Sequence, residues 1–96
     1  LDLDDVRVSP AQTKALRKIA ADERVEQESA SQRIRAKSDE LERALERVDV
    51  SEADIGRLVD EITSEEARIR KARLIALTRT RKVLSDQQRA KVERDQ

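Results

Sequence analysis

The sequence predicts an all-α fold, and three observations predict it. Ile55, Ile62, Ile69, Ala76 and Val83 stand seven residues apart, a spacing that keeps one apolar seam on one side of a long helix. The composition agrees: 44% of residues are charged, there is no aromatic, Met, His or Cys, and there is one Gly and one Pro. Almost all the apolar content is Ala, Leu, Ile and Val, which with helical spacing denotes long helices rather than a sandwich or an α/β fold. Three Ser-led capping patterns supply the helix starts. High charge with few apolar residues also suits disorder, but the zero net charge and the regular apolar spacing argue for structure.

The chain reads as a single domain of 96 residues. Residues 1–8 alternate apolar and acidic positions and are expected to form an extended arm. Asp2, Asp4 and Asp5 lack the Gly and the later Glu of a calcium loop, so a solvated acidic tail is the favoured reading. Leu1 in place of Met is what trimming or removal of a signal peptide would leave.

Ser9-Pro10-Ala11-Gln12 opens the first helix. Ser9 can accept from the Gln12 N–H, Gln12 can accept from the Ser9 N–H, and Pro10 occupies the first helical position, where no N–H is needed. Leu16, Ile19, Ala20, Val25, Ala30, Ile34, Leu41, Leu45 and Val48 give a thin apolar stripe with no breaker between Gln12 and Arg47. The polar stretch 26–32 is where a bend is expected.

Residues 48–51 form the turn, with two β-branched residues flanking Asp49. Ser51 caps the second helix, with Asp54 as a weaker third partner than Glu or Gln, and Val50 with Ile55 as a candidate hydrophobic staple. A short connection places the two long helices antiparallel. Leu58, Val59 and Ala72 are expected to widen the seven-residue seam. Gly56 is read as tolerated rather than as a point of close approach by the first helix. Thr63-Ser64-Glu65-Glu66 resembles a helix start, but the seam runs through it, and Glu66 with Arg70 is an i,i+4 pair favouring continuity. Leu84-Ser85-Asp86-Gln87-Gln88 then caps a short last helix, on which Ala90 and Val92 are expected to face inward.

Leu74 and Leu77 point away from the seam. A helix apolar on several sides is covered on several sides, by the last helix, the first helix or a second subunit; scattered surface leucines are the simpler alternative. Charge is segregated around them. From Asp39 to Glu66 there are eleven acids against three arginines, and from Arg68 to Lys82 seven bases and no acid. The basic stretch flanking an apolar patch suits unfolded or acidic polypeptide. Equally, it could lie on the acidic stretch of an antiparallel partner copy.

Several functions lack the residues they need. Without His, Cys or Met, no nitrogen or sulfur side chain can ligate a transition metal as the usual sites do. No Gly-rich phosphate loop or catalytic motif is present, so no enzymatic activity and no cofactor are expected. Zero net charge without aromatics argues against nucleic acid. No apolar run of about eighteen residues exists to insert in a membrane.

The boxes Val8-Ser9-Pro10-Ala11-Gln12 and Leu84-Ser85-Asp86-Gln87-Gln88 share one pattern: an apolar residue, a Ser cap, two variable residues and Gln. One precedes the first helix and the other follows the long helix. In this the chain resembles the Spy/CpxP superfamily of bacterial periplasmic stress proteins, whose mark is a pair of Leu-Thr-x-x-Gln motifs. It also resembles the CnrX/ZraP-type heavy-metal resistance proteins, through Ile34–Leu45 and Ser51–Val83. Ser replaces Thr in both boxes and Val8 replaces Leu in the first; the capping chemistry is kept. The resemblance implies an all-α, antiparallel hooked helical hairpin of about four helices, a cradle-like homodimer and a periplasmic location. It further implies either ATP-independent chaperone action on unfolded polypeptide, or a regulatory role toward a membrane sensor or anti-sigma protein in an envelope-stress or heavy-metal response. The metal-binding relatives use His, with Met or carboxylates, and this chain departs from them there. Arg70, Arg73, Leu74, Leu77 and Arg81 are the candidate polypeptide contacts; Ser9, Gln12, Ser85 and Gln88 are the capping residues of the motif.

Overall fold

The computed structural model describes residues 7–94. Three helices follow one another: α1 (Pro10–Leu45), α2 (Glu52–Val83) and α3 (Asp86–Arg94). No strand occurs among the described residues. The acidic positions Asp2, Asp4 and Asp5, and most of the expected arm, lie outside the described residues. α1 and α2 form an antiparallel hairpin, and α3 bends back at its open end as a hook. The molecule measures 60 × 23 × 17 Å with a radius of gyration of 19.2 Å, against about 13 Å for a compact chain of this length.

Each cap forms as the residue types dictate. Ser9 Oγ accepts from the Gln12 N–H at 3.1 Å and Gln12 Oε1 accepts from the Ser9 N–H at 2.8 Å. Ser85 and Gln88 repeat this reciprocal pair at 3.2 and 2.8 Å. At Ser51 only one bond forms, from the Asp54 N–H at 3.0 Å, because the shorter Asp54 side chain does not return to the cap. Neither Thr63-Ser64 nor the polar stretch 26–32 interrupts its helix. Helix α1 runs unbroken there because every residue is compatible with a helix and α2 packs alongside it. Among the described residues the hairpin therefore has three helices, not about four.

The core is thin. Its buried apolar residues are Ala30, Ala44, Leu58, Ala76, Leu84 and Val92, and half of them are Ala. The ladder residues Ile55, Ile62, Ile69 and Val83 are half-buried, since one neighbouring helix covers only one side of them. Several expected core positions turn outward. Val25 is 66% exposed, Leu45 is 60% exposed, and Val48 and Val59 are exposed; Ala20 and Ala90 are exposed as well. A two-helix contact is narrower than the apolar stripe that a bundle helix would bury, so positions flanking the seam are left in water. Helix α1 ends at Leu45, before the turn residue Val48, which explains that position. Gly56 is exposed, and a Cβ there would meet nothing within 4 Å, so α1 makes no close approach to it.

Ion pairs set the register of the hairpin. Arg33 Nε meets Glu65 Oε2 at 2.7 Å, Lys37 Nζ meets Glu61 Oε2 at 3.0 Å, and Arg57 Nη2 meets Glu40 Oε1 at 3.9 Å. Arg68 Nη1 lies 4.0 Å from Glu26 Oε1. Glu65 is the buried charged residue, and Arg68 Nε at 3.6 Å is its second partner. The expected Glu66–Arg70 pair does not form among the described residues: both side chains are exposed, where an ion pair gains little over hydration.

Hydrogen bonds from Lys37 and then Arg57 hold the Glu61 carboxyl below its ordinary value of 4.5. A carboxylate whose folded pKa is depressed stabilises the fold above its unfolded pKa and loses that contribution as pH falls through the folded value. The hairpin is accordingly expected to weaken as pH falls below 4.5, and Glu61→Gln to flatten that part of the profile. Chemical denaturation at stepped pH measures both; parallel profiles would show that Glu61 contributes nothing.

Candidate functional site

Two regions carry the candidate residues. The first is a clasp at the hook. The two Ser-x-x-Gln boxes, 76 residues apart in sequence at their glutamines, come into direct contact. Gln12 Nε2 donates to Gln88 Oε1 at 2.8 Å and to the Val83 carbonyl at 3.0 Å. Gln88 Nε2 donates to Gln12 Oε1 at 3.2 Å and to the Arg7 carbonyl. Each Gln thus caps its own helix and bonds the other. Underneath, Leu84 and Val92 form a small buried cluster against Val8 and Leu16. Arg89 donates to the Arg81 carbonyl at 2.9 Å, and Arg81 Nε lies 3.8 Å from Glu93 Oε1. The boxes are therefore the fastening between the start of α1, the end of α2 and α3.

The second region is the outer flank of α2. Positions 70, 74, 77 and 81 follow at steps of four, three and four residues, and Arg73 sits three after Arg70 and four before Leu77. Such steps keep side chains on one helical flank. Arg70, Arg73, Leu74, Leu77 and Arg81 are thus one continuous strip, turned away from the buried Ala76. Leu74 is 51% exposed, so neither α1 nor α3 closes over it; Leu77 is half-buried.

Of the seven bases from Arg68 to Lys82, Arg68 and Arg81 have acidic partners. Arg70, Lys71, Arg73, Arg79 and Lys82 make no ion pair among the described residues. Their sequence neighbourhood contains no acid, and of the acids of α2, Glu61 and Glu65 pair with Lys37 and Arg33 of α1. This leaves a concentrated positive field around exposed apolar surface.

A groove between α1 and α2 adjoins this strip. Asp22, Glu23 and Glu26 line its α1 side, Arg68, Lys71 and Arg79 its α2 side, and Ile19, Ala72 and Ala76 also contribute to the lining. Ile75, Lys71 and Arg79 also border a shallower depression that includes Arg70 and Leu74. Sequence reasoning did not single out Ile75, Lys71 and Arg79 as contacts. The signal lay in the register: Arg33 with Glu65 and Lys37 with Glu61 both sum to 98, so residues 22–26 of α1 must face 72–76 of α2.

Among the described residues no group of three or more His, Cys, Asp or Glu is placed to hold a metal ion. No helix among them is long and apolar enough to cross a membrane. Comparison with protein-family models, curated proteins and solved structures gave no significant match.

Proposed function

We propose that this chain is a polypeptide-binding protein that forms a homodimer and works without cofactor, nucleotide or catalytic step. Its binding surface is the α2 flank Arg70, Arg73, Leu74, Leu77 and Arg81. The observation that carries this reading is the coincidence of exposed Leu74 with five cations lacking an ion-pair partner on the same stretch of helix. Unfolded chains present apolar and acidic groups together, and such a strip meets both without demanding a particular sequence. The elongated shape and thin core support a dimer, because a single neighbouring helix leaves much of each long helix uncovered. The resemblance to Spy/CpxP-type proteins, carried by the paired Ser-x-x-Gln boxes, supports an envelope-stress role in the periplasm, ATP-independent and chaperone-like.

The test is suppression of aggregation of a chemically denatured client. At low salt, stoichiometric protein is expected to suppress it, and Arg70→Glu with Arg73→Glu to reduce suppression at least tenfold while leaving thermal unfolding unchanged. Suppression should fade as salt screens the exposed cations. Failure of the wild-type chain at low salt would refute the reading.

A further inference from the structure

We propose that in the resting dimer the turn of one copy occupies the cationic α2 flank of the other, so that the protein caps its own binding surface. This rests on the flank being a polypeptide site, and it names what holds that site when no client is present.

The turn has the chemistry of a client. Leu45 is 60% exposed and Val48 is fully exposed, two branched apolar side chains that the α1–α2 contact does not use. From Asp39 to Arg57 there are seven acids and three arginines. Of these ten, Glu40 and Arg57 have ion-pair partners, and the others make no ion pair among the described residues. The tip therefore presents free carboxylates beside apolar surface, and the flank presents free cations beside apolar surface.

They cannot meet within one molecule. Ser51 and Leu74 lie 23 residues apart on or next to the unbroken helix α2, a separation of about 35 Å. Two 60 Å hairpins laid antiparallel bring each tip to the other's flank, and the two equivalent contacts close the assembly about a two-fold axis. Each contact is small and strongly charged, as in a transient interface. Salt or a competing client would release it.

The experiment pairs sedimentation velocity with fluorescence anisotropy on a labelled, permanently unfolded polypeptide, comparing wild type with Leu45→Ser/Val48→Ser. Both positions are exposed, so in salt high enough to dissociate both proteins the double variant should keep the wild-type unfolding temperature. We expect reversible wild-type dimers at low salt, at least tenfold weaker dimerisation in the variant, and tighter client binding by a similar factor. A wild-type chain that stays monomeric, or a variant that dimerises as well as wild type, would overturn the proposal. So would weaker dimerisation with client affinity unchanged. If the variant loses dimerisation but neither protein binds client, the tip contact stands and the polypeptide reading fails. Binding of anionic phospholipid vesicles with equal affinity by both proteins would place a membrane surface on the flank instead, against the proposal.

Discussion

Leu58→Ala is expected to cost the hairpin about 2–5 kcal/mol, the usual range for emptying a buried Leu site. Leu58 is 1% exposed and is the one large side chain fully enclosed among the described residues; most of its buried companions are Ala. Whole-domain stabilities run at about 5–15 kcal/mol, so this single substitution removes a large share of the total. At roughly 4–8 °C per kcal/mol for a domain of this size, the melting temperature should fall by at least about 8 °C. The adjacent Val59 is exposed, and Val59→Ala should change stability by no more than about 0.5 kcal/mol. Thermal and urea unfolding of the two variants side by side separates them. Equal, small effects would mean that the α1–α2 seam is not what holds the long helices together.

Gln12→Ala is expected to detach the hook while sparing the hairpin. The substitution removes the bonds to Val83 and Gln88 and the reciprocal half of the α1 cap. Loss of a helix cap and of part-buried hydrogen bonds together costs about 1–3 kcal/mol. Because α3 is short and rests on the small Leu84–Val92 cluster, that cost should fall on local opening rather than on global unfolding. Amide exchange at residues 86–94 should accelerate at least tenfold, with protection around Leu58 unchanged. Gln88→Ala should give the same pattern, and the double variant should fall short of additivity, since the two residues share one set of bonds. Uniform acceleration along the whole chain would contradict the clasp.

The architecture was largely legible in the residues. Each Ser-led box marks a true helix start, and the seven-residue ladder from Ile55 to Val83 lies on the face of α2 toward α1. What failed was the inference that an apolar residue near the seam is covered. Val25, Leu45, Val48 and Val59 are outside because two helices bury a narrow strip, and helical spacing alone does not reveal how many neighbours a helix has. The helix expected from Gln12 onward does run unbroken through 26–32, because polar composition lowers helix propensity only slightly and tertiary contact overrides it. The contact between Gln12 and Gln88 was implicit in the matching boxes, yet spacing could not place one against the other. It depends on α1 and α2 being of nearly equal length, which brings the beginning of one beside the end of the other. The run of seven bases without an acid was legible, but Lys71 and Arg79, which line the groove beside the strip, were not singled out. Whether those bases would be neutralised by α1 required the register, in which Glu40 meets Arg57 and Glu26 meets Arg68.

The proposed function places polypeptide on the outer flank of α2. The most direct test is to titrate isotope-labelled protein with an unfolded, non-aggregating polypeptide and follow each backbone amide by NMR. This placement predicts shift changes concentrated between Arg70 and Arg81, diminishing as salt is raised, with a weaker second set at residues 45–50 as the turn is displaced. Changes confined to α1, or none at millimolar polypeptide in low salt, would contradict it.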